Sequence, residues 1–235
     1  MRHIKQIIFD ADDTLWENNI YYLKAAKDFF QLLTKYGYNQ PEIEIAFDQL
    51  EAEVVKKFGY GSINFIYILE ELFRRFPVSD TFARSKLNLI IDEFNAHKTK
   101  KPSLFKRVPD TLKNLSTNYS LYILTKGDFE EQKLKIKNSG LIQYIKEYFI
   151  LPEKNDNAYA KLLKKSKWQA NETCMVGNSP KSDINPALRN DMYAVHIPYK
   201  NTWKLDVEPI ISANGKFKQI PSFKDLNILF PNRLY

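Results

Sequence analysis

The chain has 235 residues, 44% of them hydrophobic and 27% charged, which is enough for one large core or a core with an inserted domain. No stretch approaches the roughly 20 apolar residues of a membrane span, and no signal peptide is recognisable, so we expect a cytoplasmic protein without membrane association. The formal net charge of +7 favours anionic ligands such as phosphate esters. Solvated surface lysines explain this charge more simply than nucleic-acid binding, which we do not expect.

The first element is an apolar run, Ile7 to Phe9, which predicts a buried strand that ends at Asp10. Asp12, Asp13 and Thr14 follow directly. Ligands of open α/β sheets bind beyond the carboxyl ends of the strands, so Asp10 and Asp12 are expected at the mouth of a sheet. One carboxylate then suits a nucleophile and metal ligand, and the other suits a proton donor. The local pattern is also typical of an acidic turn that caps the next helix.

A helical module is predicted after this strand. Apolar residues recur at spacings of three and four in four successive stretches, with breaks at Gly37, Gly59–Gly61 and Pro77. Ser79 is the expected cap of the fourth helix. A linker over residues 98–102 leads out of the module. We therefore predict an α-helical domain over residues 17–98, inserted into a core domain made of residues 1–16 and 99–235.

Strands and helices alternate in the second half of the chain. The predicted strands cover residues 121–124, 148–151, 173–176 and 193–197. Such alternation indicates βαβ units and a parallel sheet, so the expected fold is α/β with a Rossmann-like three-layer core. Cys174 lies in an apolar strand and is expected to be a buried, inert thiol. In the C-terminal segment, residues 219–223 predict an edge strand, because Pro221 cannot donate to a ladder.

Polar side chains occur at the ends of four of these strands. They are Asp10 and Asp12, Thr125, Lys154, and Asn178 with Asp183. Each group comes from a different predicted strand or the loop after it. Carboxylates, a hydroxyl, a carboxamide and a cation are suited to hold Mg²⁺ and to neutralise a phosphoryl group.

These segments resemble the four motifs of the haloacid dehalogenase superfamily, in its phosphatase branch. Residues 10–14 (Asp-Ala-Asp-Asp-Thr) resemble the first motif, Thr125 the second, Lys154 the third, and residues 177–183 (Gly-Asn-Ser-Pro-Lys-Ser-Asp) the fourth. The motifs occur in the family's order and extend over most of the chain. The helical module between the first and second motifs resembles the family's α-helical cap, which closes over the active site.

The resemblance implies a nucleophile, a proton donor and a metal site. Asp10 would attack phosphorus and form an aspartyl-phosphate, and Asp12 would protonate the leaving oxygen and then activate the hydrolytic water. Asp10, Asp12 through its backbone carbonyl, Asn178 and Asp183 would bind Mg²⁺. The family more commonly has aspartate at position 178, but the amide oxygen of Asn178 can still ligate Mg²⁺. Asp183 is equally suited to cap its helix.

The resemblance also implies a phosphate-binding set. Thr125 would donate to a phosphoryl oxygen, and the backbone N–H groups of Lys126 and Gly127, placed at the start of a helix, would form an anion site. Lys154 would neutralise both nucleophile and phosphate. Thr125 is alternatively the cap of the following helix, and Lys161 is a less favoured substitute for Lys154.

Hydrolysis of a small phosphorylated metabolite is the activity that we predict. Asp12 argues against the dehalogenase branch, which lacks the second aspartate. A sugar-phosphate mutase and a non-catalytic phosphate- or partner-binding protein are the alternatives. Phosphoglycolate, a nucleoside monophosphate and a sugar phosphate all stay open as substrates, and Trp16 is expected to line the entrance to the site.

Overall fold

Two compact units are present in the computed structural model, which describes residues 1, 3–97, 100–211 and 215–231. One unit consists of residues 1–17 and 101–235, and the other of residues 18–100. These limits differ by one or two residues from the predicted domains. The predicted linker over residues 98–102 includes residues 98 and 99, which lie outside the described residues.

The helical unit consists of α1 (Asn19–Lys35), α2 (Gln40–Phe58), α3 (Ser62–Arg75) and α4 (Thr81–Ala96). Its core is formed by apolar side chains from all four helices, including Phe29, Phe47, Phe65 and Leu87. Asp80, and not the expected Ser79, caps α4. The Asp80 carboxylate accepts a hydrogen bond from the Phe82 N–H at 2.8 Å, which satisfies a free donor of the first turn.

The α/β unit is built on one parallel sheet. Its strands are β1 (Gln6–Phe9), β2 (Ser120–Lys126), β3 (Glu147–Leu151), β4 (Thr173–Gly177), β5 (Tyr193–His196) and β6 (Phe217–Gln219). Within the described residues the strand order is β3-β2-β1-β4-β5-β6, and all neighbours run parallel. The predicted α/β fold class with a parallel sheet is confirmed. Because β1 lies between β2 and β4, the ends of these three strands are neighbours.

Both faces of β1 are buried. Ile7 and Phe9 pack in one apolar cluster, whereas Ile8 packs in a second cluster with Tyr159 and Met192. Burial on both faces explains why this strand is a continuous apolar run in the sequence rather than an alternating one.

The remaining helices are α5 (Val108–Ser116), α6 (Phe129–Ser139), α7 (Asp156–Ser166), α8 (Asn185–Arg189) and α9 (Leu226–Leu229). A π-helical segment, Pro180–Ile184, precedes α8. Cys174 is buried as predicted, and its burial raises the pKa of the thiol, which disfavours the reactive thiolate.

The C-terminal segment adds a strand and a helix to this unit. The edge strand β6 ends at Gln219, so the prediction of a strand over residues 219–223 was placed too late in the chain. Pro221 lies beyond the ladder, in agreement with its lack of an N–H donor. Leu226 and Phe230 bury their side chains in the same cluster as Leu112 of α5. No helix in the described part of the chain is long and apolar enough to cross a membrane.

Candidate active site

The candidate residues lie at or beyond the carboxyl ends of four adjacent strands, β3, β2, β1 and β4. Asp10 follows β1 and donates its backbone N–H to the Val176 carbonyl of β4 at 2.9 Å. Thr125 is the second-to-last residue of β2, and Gly177 is the last residue of β4. This edge of a parallel sheet is where α/β proteins bind their ligands.

Lys154 joins the first and fourth segments of the candidate site. Its Nζ lies 2.5 Å from Asp10 Oδ1 and 2.5 Å from Asp183 Oδ1, and it donates to the Leu124 carbonyl at 3.3 Å. All three charged side chains are buried. Two carboxylates share one ammonium, so the cluster has a formal charge of −1.

Burial and this excess charge both affect the protonation of Asp10. Burial and, to a smaller extent, the Asp183 carboxylate raise the pKa of Asp10, whereas Lys154 and the Thr14 hydroxyl lower it, and together they bring it to about 7. Burial disfavours the charged form of Lys154, but the Asp10 and Asp183 carboxylates hold its pKa well above the ordinary value. Lys154 is therefore a cation at neutral pH. A further positive charge beside Asp10 would favour its ionised carboxylate.

Thr14 connects Asp10 to Asn178. The Thr14 hydroxyl lies 2.8 Å from Asp10 Oδ2 and 3.2 Å from Asn178 Oδ1. Asn178 Nδ2 donates to the Thr202 hydroxyl at 3.2 Å, and that hydroxyl donates its own proton to the Tyr199 carbonyl. Because the Thr202 proton is used in this way, its oxygen accepts from the amide, and the Asn178 carbonyl oxygen faces the Thr14 hydroxyl that also contacts Asp10.

The loop after β4 is tightly folded around Asp183. Asp183 Oδ2 accepts a hydrogen bond from the Ser179 N–H at 2.9 Å. A Cβ atom at Gly177 would overlap the Asp183 carboxylate, so only glycine fits there. Asp183 does not cap its helix as one interpretation of the sequence had it. Ser179 has that role, since its hydroxyl accepts from the Ser182 N–H.

The hydrogen bonds at Thr125 and Gly127 differ from those expected from the sequence. Thr125 is buried within β2 and does not cap α6, because the Asp128 carboxylate accepts from the Glu131 N–H. The Gly127 N–H donates to the Leu151 carbonyl at 3.1 Å. The prediction that the Gly127 N–H binds phosphate is therefore wrong, because the ladder between β2 and β3 already uses this donor.

The Lys126 side chain takes part in a separate network. Its Nζ donates to Asp206 Oδ1 at 2.6 Å and to the Ser182 hydroxyl at 2.7 Å, and it lies 5.7 Å from the centre of the Trp203 ring. Lys126 therefore ties the end of β2 to the loop of the fourth motif and to the C-terminal segment.

The Asp12 carboxylate accepts hydrogen bonds from three other residues of the unit. Lys135 Nζ lies 2.7 Å from Oδ1 and 2.6 Å from Oδ2, and Gln132 Nε2 donates to Oδ2 at 2.8 Å. Trp16 Nε1 donates to Oδ1 at 2.6 Å. Trp16 is fully buried, so the prediction that it lines the entrance is wrong; its indole N–H serves Asp12 instead.

The oxygen ligands required for Mg²⁺ are present, although no three His, Cys, Asp or Glu side chains of the described residues cluster as a metal site. The Asp12 side chain faces Lys135, which leaves Asp10, Asp183 and the carbonyl oxygen of Asn178. Mg²⁺ takes oxygen ligands, often only one or two of them carboxylates, and keeps several waters. The donor set therefore fits a single Mg²⁺.

Several residues of the site were not found from the sequence. They are Gln132, Lys135, Ser182, Thr202 and Asp206. Gln132 and Lys135 are three positions apart on α6 and so share one helix face, which is a detectable signal. Thr202 lies in a turn and Asp206 ends a short 3-10 helix, Lys204–Asp206, and no comparable signal in the sequence marks either residue.

Comparison with known proteins identifies the family. A family model described as haloacid dehalogenase-like hydrolase matches residues 7–197. Since this match covers most of the chain, the protein belongs to the haloacid dehalogenase-like hydrolases. The resemblance noted from the four motifs is thereby confirmed.

Individual relatives cover nearly the whole chain. A glyceraldehyde 3-phosphate phosphatase of Pyrococcus furiosus is 27% identical over 96% of this chain and 94% of its own length. A haloacid dehalogenase-like family hydrolase of Xanthomonas campestris superposes with a TM-score of 0.79 at 22% identity, covering 96% of this chain and 94% of that one. An L-2-haloacid dehalogenase of Xanthobacter autotrophicus superposes with a TM-score of 0.62 at 14% identity, covering 96% and 98%. The fold is thus shared by proteins with different chemistry.

Proposed function

We propose that this hydrolase is a Mg²⁺-dependent phosphomonoester phosphatase that uses Asp10 as its nucleophile. The observation that carries the proposal is the buried Lys154 ammonium, which contacts Asp10 and Asp183 at the mouth of the sheet. A buried cation beside a nucleophilic carboxylate is suited to a substrate that brings negative charge to the nucleophile. The phosphatase name of the Pyrococcus furiosus relative gives independent support.

In the proposed first step, a carboxylate oxygen of Asp10 forms a bond to phosphorus. The ester P–O bond breaks, its electron pair leaves with the alcohol oxygen, and Asp12 gives that oxygen a proton. In the second step, Asp12 takes a proton from water as the water attacks phosphorus, and the Asp10 carboxylate is released. Asp12 is thus restored to its protonated form and Asp10 to its ionised form.

The proposed phosphate contacts are the Thr125 hydroxyl, the Lys126 N–H and the Lys154 ammonium. Gly127 is removed from the predicted set because its N–H is bonded to Leu151. Lys154 would hold negative charge on both the nucleophile and the transferred group, as transition-state stabilisation requires.

The proposed metal ligands are Asp10, the Asp12 backbone carbonyl, Asn178 and Asp183. Asn178 Oδ1 and Asp10 Oδ2 both contact the Thr14 hydroxyl, so we propose Asn178 as the closer fourth-motif ligand. Both Asp183 oxygens already accept from Lys154 or the Ser179 N–H. Bound Mg²⁺ would supply charge neutralisation for the phosphoryl oxygens and for Asp10.

A small phosphorylated metabolite is the proposed substrate. The name of the Pyrococcus furiosus relative makes a three-carbon phosphate such as glyceraldehyde 3-phosphate the first candidate. Phosphoglycolate, nucleoside monophosphates and sugar phosphates belong to the same test panel. We further propose that the helical unit, residues 18–100, is the cap that selects among them.

Two alternatives differ from this proposal in their products. The presence of Asp12 argues against a dehalogenase, because a leaving halide needs no general acid, whereas a leaving alkoxide does. A mutase would use the same aspartates but return the phosphoryl group to a sugar when water is excluded. A binding protein would retain phosphate affinity without turnover.

Phosphate release tests the proposal directly. An aryl phosphate and the panel of phosphomonoesters would be incubated with the wild type in Mg²⁺ and in chelator, beside Asp10→Asn and the exposed control Asp110→Asn. We expect metal-dependent release that Asp10→Asn abolishes and Asp110→Asn retains. Undiminished release by Asp10→Asn contradicts the mechanism, and the absence of release by folded wild type favours a mutase or a binding protein.

A further inference from the structure

The side-chain amide of Asn178 is hydrogen-bonded to a residue of the C-terminal segment. Asn178 Nδ2 donates to the Thr202 hydroxyl at 3.2 Å, and this hydroxyl donates its own proton to the Tyr199 carbonyl at 2.8 Å. Thr202 lies beyond residue 197, where the match to the family model ends. The fourth motif therefore receives a contact from a part of the chain that the family match does not include.

The main chain at Asn178 is held separately from the side chain. The Gly177 carbonyl accepts from the Ile197 N–H at 2.9 Å, and the Asn178 backbone carbonyl lies 3.1 Å from His196 Nε2. Both partners lie at the end of β5 or directly after it. These contacts fix the position of residue 178, but they do not determine which end of its amide faces the Thr14 hydroxyl.

The direction of the side chain matters for asparagine and not for aspartate. A carboxylate has two equivalent oxygens, whereas a carboxamide has an acceptor at one end and a donor at the other. Mg²⁺ takes oxygen ligands, so only the carbonyl end of the amide can bind it. With asparagine at position 178, metal binding depends on which end of the amide faces the site.

The Thr14 hydroxyl does not determine this direction. It lies 2.8 Å from Asp10 Oδ2 and 3.2 Å from Asn178 Oδ1, and it has a single proton to donate. When Asp10, the closer acceptor, takes that proton, the Thr14 oxygen can accept from an amide N–H. A reversed Asn178 amide would therefore also satisfy Thr14.

The Thr202 hydroxyl does determine it. Its proton is directed to the Tyr199 carbonyl, so Thr202 presents only acceptor positions to Asn178. A reversed amide would place the Asn178 carbonyl oxygen against these positions, with no proton between two acceptors, and would lose a hydrogen bond. Thr202 thus favours the orientation in which Nδ2 faces the C-terminal segment and Oδ1 faces Thr14.

We propose that Thr202 is a positioning residue, which turns the Asn178 carbonyl oxygen toward the Mg²⁺ site. The inference rests on the proposed function, because it takes Asn178 as a metal ligand. It gives a physical reason why an amide can serve at this position: a neighbouring acceptor removes the orientation in which the amide would present its N–H groups to the cation.

Isothermal titration with MgCl₂, in the absence of substrate, measures this role independently of turnover. Thr202→Val and Thr202→Ala both remove the hydroxyl, the first at nearly constant shape, and Thr202→Ser is the rescue variant. Asn178→Ala tests the ligand itself. Thr117→Val is the matched control, because the exposed Thr117 hydroxyl also donates to a backbone carbonyl and accepts from an asparagine Nδ2, but directly after α5.

We expect Thr202→Val and Thr202→Ala to weaken Mg²⁺ binding by about 10- to 100-fold, as for other residues that orient a metal ligand. Thr202→Ser should recover most of the affinity, and Thr117→Val should bind as wild type. In an Asn178→Asp background, Thr202→Val should change the affinity by less than about threefold, because a carboxylate presents an oxygen in either direction. The stoichiometry of each titration reports the fraction of folded protein separately from the affinity.

Unchanged affinity in both Thr202→Val and Thr202→Ala would overturn the inference. An equal loss in the Asn178→Asp background would also overturn it, because Thr202 would then act on the loop and not through the amide. If Asn178→Ala binds Mg²⁺ as tightly as wild type, or wild type binds none, the proposed metal site has failed. If Asn178→Ala weakens binding and the Thr202 variants do not, only the positioning role has failed.

Discussion

Lys154 Nζ lies 2.5 Å from Asp10 Oδ1, although the two residues are 144 positions apart in the chain. Both side chains are buried, and a buried charge needs a partner to remain charged at neutral pH. The same nitrogen also contacts Asp183. One lysine thus contacts the carboxylates of both the first and the fourth motif and compensates one of their two negative charges.

Lys154→Met leaves two buried carboxylates without their cation. Removal of one member of a buried ion pair destabilises by about 3–5 kcal/mol, so the free energy of unfolding should fall by that amount. Phosphate release should fall at least about 100-fold, as for other losses of transition-state charge stabilisation. Denaturant titration and steady-state kinetics measure the two effects.

Lys161→Met is the matched control, because Lys161 was the alternative lysine and lies exposed on α7. We expect its stability to stay within about 0.5 kcal/mol of wild type and its turnover to be unchanged. Loss of turnover in this variant, with turnover retained in Lys154→Met, would reverse the assignment of the third motif.

The raised pKa of Asp10 gives stability a defined pH dependence. Between the ordinary value of 3.8 and about 7 the folded carboxyl binds more protons than the unfolded one. Its contribution to the free energy of unfolding is therefore complete below pH 3.8 and is lost as pH rises through about 7. Asp10→Asn removes this loss. The Tm difference, variant minus wild type, should therefore increase as the pH is raised from about 5 to about 8 in the presence of chelator.

Asp110→Asn should show a flat difference over the same pH range, since Asp110 is exposed. A Tm difference for Asp10→Asn that does not change with pH would contradict the raised pKa of Asp10. Mg²⁺ should reduce the pH dependence of the wild type, because a cation beside Asp10 favours its ionised form.

Asn178→Asp tests the proposed metal ligands. The substitution changes the formal charge of the cluster from −1 to −2, so Mg²⁺ should bind at least about tenfold more tightly. Isothermal titration with MgCl₂ measures this affinity independently of turnover. Asn114→Asp, on the exposed face of α5, should leave the affinity unchanged. A large loss of affinity in Asn178→Asp would mean that position 178 does not face the metal.

Gly177→Ala should disturb the fourth-motif loop. The added Cβ would overlap the Asp183 carboxylate and force it away from Lys154 and the Ser179 N–H. Overpacking of this kind destabilises by about 1–3 kcal/mol, which thermal or denaturant unfolding resolves. In an Asp183→Gly background the same substitution should add little further loss, because the overlapping Oδ2, Cγ and Cβ atoms of Asp183 are gone. Full additivity of the two changes would contradict the proposed steric cause.

The sequence predicts the strands and the residues at their ends because each signal is local. A buried parallel strand is a continuous apolar run, and polar side chains directly after it meet at one edge of the sheet. The sequence therefore predicts that Asp10, Lys154 and Asp183 lie close together. It does not predict their hydrogen-bond partners, because the same carboxylates are equally suited to cap helices.

The extent of β2 shows where this reasoning fails. The apolar run ends at Leu124, but the strand continues through Thr125 and Lys126, and the Gly127 N–H still donates to Leu151. Because Thr125 and Lys126 are polar, the sequence pattern placed the end of the strand at Leu124. Gly127 was therefore expected to lie in a loop with a free N–H, which is wrong. Asp206 was missed for a different reason, since it ends a 3-10 helix of only three residues, Lys204–Asp206, which is too short to show a periodic pattern in the sequence.

The covalent intermediate is the most direct test of the role of Asp10. Wild-type enzyme would be mixed with p-nitrophenyl phosphate and Mg²⁺, quenched in acid during turnover, and digested for mass spectrometry. The account predicts one phosphoryl group on the peptide that contains Asp10, and none on the same peptide from Asp10→Asn. Phosphoryl transfer to another residue, or unchanged phosphate release by Asp10→Asn, would contradict it.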